Sequence, residues 1–178
     1  MQLRYKAGSS HARLACAIAM EQAAAGDLAV VVNDDIAVAR TARTGLHLGQ
    51  MDGDPRGVRD VLGDRALLGW STHNLAQVDV AATLPVDYLG FGPVRATQTK
   101  RSSDPVTGWA MLADACGRAR VPVVAIGGMQ VQDAAIARSA GAAAMAVVGA
   151  WLRDGERVRA VAEAEDALTL LVHAWNAG

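Results

Sequence analysis

Short apolar runs alternate along the chain with longer segments that are rich in helix-forming residues. Each apolar run is continuous and five or six residues long, which is typical of strands buried on both faces of a sheet. Near the start of the chain, a segment with alternating polar and apolar residues carries cationic side chains on one side. It predicts a first strand that precedes the apolar runs. The predicted strands cover residues 2–6, 28–32, 45–50, 66–70, 86–91, 121–126 and 143–148.

The segments between these strands carry residues that start or stop helices. Gly26 ends an Ala-rich segment, and Pro55 suits the first turn of another helix. Asp34 and Asp35 follow a strand, where they either cap the next helix or present carboxylates at the strand end. The predicted helices cover residues 11–25, 36–42, 55–62, 74–82, 108–118, 130–140 and 155–175.

This alternation predicts an α/β fold in which helices cover a parallel sheet. An open sheet binds its ligand at one switch point, whereas a closed (β/α)8 barrel gathers all the strand ends at one mouth. Every predicted strand here is followed by a polar or glycine cluster, which favours the barrel. Gly127-Gly128 follows a late strand, where such barrels commonly bind a phosphate through backbone N–H groups.

The segment 86–100 combines a core strand with a loop suited to an anion. Gly90 and Gly92 permit close approach of another backbone or a ligand, and the loop beyond them ends in Thr97-Gln98-Thr99-Lys100. Two hydroxyls beside an ammonium group suit a phosphate or diphosphate. A polar surface loop with a chance lysine is the alternative interpretation.

Composition limits the kinds of protein that the chain can be. With 178 residues, of which 52% are hydrophobic, it predicts a single domain over residues 1–178. The formal net charge is −1, and no run of like charge indicates a nucleic-acid partner or a membrane anchor. No stretch is apolar enough to cross a membrane, and the first residues do not resemble a signal peptide, so we expect a soluble, cytoplasmic protein.

Several residues with reactive or soft side chains have simpler structural interpretations. Cys16 and Cys116 are far apart and lack metal-type spacing, so we expect buried free thiols. His47 lies within an apolar strand and is interpreted as a hydrogen-bonded core histidine. Met51, Met129 and Met145 are expected to be packing residues.

Six motifs, taken together and in this order, resemble the thiamine-phosphate synthase (thiamine-phosphate pyrophosphorylase) family, which includes a thiazole tautomerase branch. The resemblance covers nearly the whole chain and implies a (β/α)8 barrel. The motifs are Gln2-x-Arg4-x-Lys6, Asn33-Asp34, His47-Leu48-Gly49-Gln50-x-Asp52, Ser71-Thr72-His73, Gly90-Phe91-Gly92-Pro93 with Thr97-x-Thr99-Lys100, and Ala125-Ile126-Gly127-Gly128.

The resemblance implies a transferase that joins hydroxymethylpyrimidine diphosphate to thiazole phosphate, giving thiamine phosphate and diphosphate. It implies that Asp34 and Asp52 bind the cofactor Mg²⁺ and that Gln2 and Ser71 contact the pyrimidine. It also implies that four residues are catalytic: Arg4, Lys6, Ser71 and Lys100. The implied diphosphate contacts are Arg4, Lys6, Asn33, Thr97, Thr99 and Lys100. The implied thiazole-phosphate contacts are Gly127, Gly128, Val148 and Gly149.

The chain also departs from the family pattern. Its residues supply seven predicted strands, whereas family members usually have a further strand and helix before the Gln2 motif. Three hypotheses therefore stay open: the synthase, the related thiazole tautomerase, and a non-catalytic phosphate-ligand-binding protein with a shortened barrel. A shortened sheet also leaves open edges that homo-oligomer formation would close.

Overall fold

The computed structural model describes residues 1–97 and 104–148, together with 152–153, 157–158, 169–170 and 172–176. These residues fall into two compact units. The first comprises Met1–Ser71 and Thr83–Tyr88, and the second comprises Thr72–Ala82 and the described part of Leu89–Gly178. The single domain expected from composition stays a prediction.

The first unit contains parallel strands in chain order. They are β1 (Gln2–Leu3), β2 (Val31–Asn33), β3 (Gly45–Leu48) and β4 (Leu68–Thr72), whose last residue already belongs to the second unit. β1 pairs with β2, β2 with β3, and β3 with β4, all in parallel. Leu46, Leu48 and Leu68 are fully buried. This burial explains why these strands read as continuous apolar runs.

Three helices of the first unit begin at side-chain caps. They are α1 (Ser10–Ala24), α2 (Ile36–Ala42) and α3 (Pro55–Leu62). Ser9, Asp35 and Asp54 each accept a hydrogen bond from a backbone N–H of the first turn. These bonds satisfy N–H groups that have no partner within the helix.

The second unit repeats the strand–helix order. It contains α4 (Leu75–Ala81), β5 (Tyr88–Phe91, of which Tyr88 belongs to the first unit), α5 (Gly108–Arg118), β6 (Val123–Ala125), a 3-10 turn at Val131–Asp133, α6 (Ala134–Ser139) and β7 (Ala144–Met145). β5 pairs with β6, and β6 with β7, in parallel. Phe91, Leu112 and Ala125 are fully buried in this unit.

These elements confirm the α/β prediction and its seven strands within the described residues. The helices predicted at 36–42, 55–62 and 108–118 have the predicted bounds. Six of the seven strands are shorter than predicted. For example, β1 stops at Leu3, and Lys6 lies in a turn. Ser71 and Thr72, expected in a loop, continue β4 because the Thr72 carbonyl accepts a hydrogen bond from the Gly92 N–H.

The helix predicted at 155–175 is wrong over its first part. Arg157–Val158 (β9) pairs antiparallel with Leu152–Arg153 (β8), and an extended backbone at these residues excludes a helix there. Helical backbone is present at 169–170 and 172–176.

Two expectations about single side chains need correction. Met51 is 94% exposed rather than packed, whereas Met129 is buried as expected. Cys16 and Cys116 are free thiols, but both are half-buried rather than fully buried. Among the described residues, no helix is long and apolar enough to span a bilayer.

Candidate active site

A cleft of about 410 Å³ opens in the first unit, where β1 and β2 end. Of the residues implied to meet a diphosphate or a metal, Arg4, Lys6, Asn33 and Asp34 line it. Arg13 also lines it, and the sequence offered no signal for that residue because it lies in an ordinary helical segment. The cleft therefore combines cationic, amide and carboxylate groups.

The sequence left open whether Asp34 and Asp35 cap a helix or present a carboxylate at the strand end, and the structure gives each residue one of these roles. Asp35 caps α2, because its Oδ1 accepts a hydrogen bond of 3.1 Å from the Val38 N–H. Asp34 has a φ of 65°, a left-handed backbone conformation that turns it away from the path of the helix. Its Oδ2 lies 3.4 Å from the Lys6 ammonium nitrogen. Asp34 thus presents a carboxylate in the cleft instead of capping the helix.

Asp52 lies next to Asp34, although the two are far apart in sequence. Burial, followed by the hydrogen bond and the negative charge of Asp52, raises the pKa of Asp34, while Lys6 lowers it. The Asp52 carboxylate is held in place because its Oδ2 accepts a 2.8 Å hydrogen bond from the Gly49 N–H. A Cβ atom at Gly49 would lie 2.5 Å from that same oxygen, so a larger residue there would displace the Asp52 carboxylate.

The amides at the ends of β1 and β2 also meet. Gln2 Nε2 donates to Asn33 Oδ1 at 3.4 Å, which orients the Asn33 amide at the strand end. Arg4 and Gln2 are both exposed, so their polar groups remain accessible to a ligand. The structure therefore brings together six predicted site residues in this unit: Gln2, Arg4, Lys6, Asn33, Asp34 and Asp52.

Ser71 is half-buried at the end of β4, where two side chains hold it. Its Oγ lies 2.8 Å from His47 Nε2, and the other ring nitrogen of His47 lies 2.9 Å from the Tyr88 hydroxyl. Gln50 donates to the Ser71 carbonyl oxygen. His47 is a buried, hydrogen-bonded histidine as expected, but its link to Ser71 was missed.

The Tyr88 phenol is neutral. Burial, and then the negative charge of Asp87, raises its pKa well above the ordinary value. Its ring also lies over Gly69, where a Cβ atom would be 2.1 Å from the nearest ring carbon. A larger residue at Gly69 would therefore displace the tyrosine from His47.

In the second unit, two successive glycines, Gly127 and Gly128 (the glycine pair), lie against the segment that follows β5. Gly127 has a φ of 91° and Gly128 a φ of 69°. A Cβ atom would lie 2.6 Å from Pro93 at Gly127, and 2.5 Å from the Ala96 carbonyl oxygen at Gly128. Among the described residues, no carbonyl accepts a hydrogen bond from either glycine N–H.

The remaining predicted contacts are partly described. Val148, in the second unit, is 46% exposed, and Thr97 is half-buried. Thr99, Lys100 and Gly149 lie outside the described residues, so their implied roles stay predictions.

Comparison with known proteins decides the family. Residues 1–151 match the family model described as thiamine monophosphate synthase. The chain belongs to the thiamine monophosphate synthase family. This confirms the resemblance carried by the six motifs.

Curated members of the thiamine monophosphate synthase family align over most of this chain. A thiamine-phosphate synthase from Koribacter versatilis is 36% identical over 86% of this chain and 74% of its own length. One from Chlamydia caviae is 37% identical over 70% of this chain. This chain spans 59% of the length of the Chlamydia protein.

A solved structure of the family supports the fold. Thiamine phosphate pyrophosphorylase from Pyrococcus furiosus superposes with a TM-score of 0.81, covering 97% of this chain and 82% of that one. At 23% sequence identity this likeness shows the fold alone, which is the TIM-type α/β class predicted from the strand ends.

Proposed function

We propose that the chain catalyses the synthase reaction, joining hydroxymethylpyrimidine diphosphate to thiazole phosphate to give thiamine phosphate and diphosphate. The observation that carries the proposal is the cleft of the first unit, where Arg4 and Lys6 lie beside Asn33 and Asp34. Cations and an amide suit the oxygens of a diphosphate, while a carboxylate suits the metal that accompanies it. Family membership supports the same assignment.

The main requirement of the reaction is that the protein holds the leaving group. It does not require a nucleophilic side chain. When the bond between the pyrimidinylmethyl carbon and the diphosphate oxygen breaks, the electron pair leaves with the diphosphate. The amino-pyrimidine spreads the positive charge that remains, and the thiazole nitrogen then forms the new bond to carbon. Arg4 and Lys6 would stabilise the charge that builds on the departing oxygens, which lowers the barrier.

The carboxylates of the first unit fit a divalent cation. Asp34 and Asp52 lie close enough to raise the pKa of Asp34, and Lys6 offsets part of their charge. Mg²⁺ is typically held by one or two carboxylates together with substrate phosphates and water. The described residues contain no cluster of three metal-binding side chains, so a phosphate-bearing substrate would complete the coordination. When bound, Mg²⁺ would neutralise charge on the diphosphate.

The second substrate would use the glycine pair of the second unit. The Gly127 and Gly128 N–H groups have no acceptor in the described part of the chain, and successive backbone N–H groups in a left-handed turn suit a phosphate. Thr97, Thr99 and Lys100 are proposed as further diphosphate contacts, and Val148 and Gly149 as further contacts for the thiazole phosphate.

The test is an assay of thiamine phosphate formation from both substrates with Mg²⁺. We expect product with both substrates present, and a loss of turnover when Mg²⁺ is chelated and recovered when it is restored. As a control for substitutions of the cleft carboxylates, Asp60→Asn removes one exposed carboxylate of α3 outside the cleft. A folded chain that binds either phosphate compound without forming product would instead indicate the non-catalytic hypothesis. Conversion between thiazole tautomers without coupling would indicate the tautomerase.

A further inference from the structure

Three polar side chains form a continuous line through the first unit, from Tyr88 through His47 to Ser71. The Tyr88 hydroxyl lies 2.9 Å from His47 Nδ1, and His47 Nε2 lies 2.8 Å from Ser71 Oγ. His47 is 7% exposed, and the ring centroids of His47 and Tyr88 are 5.4 Å apart. Because both ring nitrogens are engaged, the imidazole cannot turn without breaking a hydrogen bond at each end.

The direction of the hydrogen bonds follows from the Tyr88 end. In the described part of the chain, the structure gives the Tyr88 hydroxyl one hydrogen-bond partner, which is His47 Nδ1. A buried phenol that keeps its proton donates it, so Nδ1 accepts and the neutral imidazole carries its hydrogen on Nε2. Nε2–H then donates to Ser71 Oγ. The serine hydroxyl consequently directs its own hydrogen to a different acceptor.

We propose that His47, held by Tyr88, is a positioning residue that fixes the Ser71 hydroxyl as a hydrogen-bond donor to the pyrimidine substrate. This inference rests on the proposed function. The ring nitrogens of an aminopyrimidine are acceptors, so a serine held as a donor matches them. A ring that carries N–H at the same place would need the remaining lone pair of a serine oxygen that already accepts from His47 Nε2–H, and would bind less well. The line of three residues therefore sets which pyrimidine the site prefers.

A purely structural role for His47 predicts different behaviour. A satisfied core histidine would stabilise the packing of β3 against β4, and its loss would lower stability without acting through Ser71. The two roles differ in coupling. If His47 and Tyr88 act on the substrate through the serine hydroxyl, their substitutions have no further kinetic effect once that hydroxyl is gone.

The experiment is a double-mutant cycle with steady-state kinetics. Tyr88→Phe removes one hydroxyl and keeps the ring, and His47→Gln keeps a polar side chain. Each is made alone and together with Ser71→Ala. We expect each single variant to lower kcat/KM for the pyrimidine diphosphate by about 5- to 10-fold, the effect of one misplaced hydrogen bond. The KM for thiazole phosphate should stay unchanged, and neither substitution should lower the rate of Ser71→Ala further.

Thr44→Val is the matched control, because it also removes a buried hydroxyl whose hydrogen bond, of 3.1 Å to the Gly45 carbonyl oxygen, lies in the same unit. It should lower thermal stability and leave kcat/KM unchanged. Equal losses in the wild-type and Ser71→Ala backgrounds would overturn the positioning role. So would a Tyr88→Phe variant with normal kinetics and lowered stability.

The failure of this inference can be told from the failure of the proposed function. If the wild-type chain forms thiamine phosphate and the substitutions are additive, only the positioning role is wrong. If the wild-type chain forms no product, the same cycle is measured by calorimetric titration with the pyrimidine diphosphate. Coupled losses of affinity would still support the positioning role, and the absence of binding would overturn both proposals.

Discussion

At the scale of single residues, the Asp34–Asp52 pair predicts a selective dependence on metal. Asp52→Asn removes one charge but leaves an oxygen that can still accept the hydrogen bond from the Gly49 N–H, so the turn should keep its shape. We expect turnover to fall by roughly 10- to 100-fold and the Mg²⁺ concentration for half-maximal rate to rise. The measurement is the initial rate over a range of Mg²⁺ concentrations.

Asp54→Asn is a suitable control for that change. Asp54 is an exposed acidic residue two positions away that caps α3, and asparagine caps a helix about as well as aspartate. Its Mg²⁺ dependence should equal that of the wild type. Normal Mg²⁺ dependence in Asp52→Asn would mean that Asp52 serves the turn alone.

The glycine pair gives a second prediction for single residues, on stability. Gly127→Ala places a side chain at a positive φ and within 2.6 Å of Pro93. We expect it to lower the free energy of unfolding by about 1–3 kcal/mol, because a non-glycine residue in this conformation is strained. Urea unfolding would measure the change. Affinity for thiazole phosphate should fall as well, since the backbone N–H groups move with the strained turn.

Gly117 is the natural comparison for Gly127. It lies in α5, is exposed, and a Cβ atom there has open space around it. Gly117→Ala should therefore raise the free energy of unfolding by about 0.5–1 kcal/mol, because alanine favours the helix. Equal stability changes in the two variants would show that neither the positive φ nor the contact with Pro93 matters.

At the scale of elements, Asp35 joins α1 to α2. It caps α2, and its other carboxylate oxygen lies 2.9 Å from Arg13 Nε, with both side chains largely buried. Asp35→Ala loses the cap and the ion pair, whereas Asp35→Asn keeps an acceptor for the cap. We expect the alanine variant to lose about 0.5–2 kcal/mol for the cap, and the asparagine variant to lose less. Chemical denaturation of both variants separates the two contributions.

The outcome for Asp35 depends on which interaction dominates. If Asp35→Asn is as unstable as Asp35→Ala, the ion pair with Arg13 stabilises α2 more than the cap does. Asp54→Ala tests the cap by itself, because its ion pair with Arg56 is longer, at 3.8 Å, and exposed, so that pair contributes little.

Local signals explain why the bounds of several helices were predicted better than those of the strands. Caps and helix-breaking residues lie within the segment itself, and the helices at 36–42, 55–62 and 108–118 have the predicted bounds. Strand ends depend instead on where the neighbouring strand offers a partner. Thus β7 keeps two residues of the apolar run at 143–148, and β4 extends to Thr72 through its hydrogen bond with Gly92.

The sequence could indicate those candidate site residues that are charged and directly follow a predicted strand. It could not indicate contacts between residues of different strands. The Asp34–Asp52 pair followed from motif resemblance. The link from His47 to Ser71 and Tyr88 joins residues 24 and 41 positions apart, which no local pattern reveals. A polar residue inside a fully buried strand was the available signal, since β3 is otherwise apolar.

At the scale of the whole molecule, ligand binding tests the single-domain prediction. A ligand that binds the folded state alone stabilises it by about 2.7 kcal/mol at a hundred times its Kd. For a chain of this length, each kcal/mol raises Tm by roughly 2–4 °C. If the chain unfolds as one domain, the pyrimidine diphosphate with Mg²⁺ and the thiazole phosphate should each raise the Tm of one common transition. Calorimetric scans with each ligand alone measure this.

Asp52→Asn makes the same experiment specific to one ligand. The variant should lose the part of the pyrimidine diphosphate shift that requires Mg²⁺ and keep the whole shift from thiazole phosphate, because its substitution lies in the first unit and the glycine pair lies in the second. Two separate transitions, each raised by one ligand, would contradict the single domain and show that the units unfold independently. A thiazole phosphate shift that disappears in Asp52→Asn would instead place the binding of that phosphate at the carboxylates, against the assignment to Gly127 and Gly128.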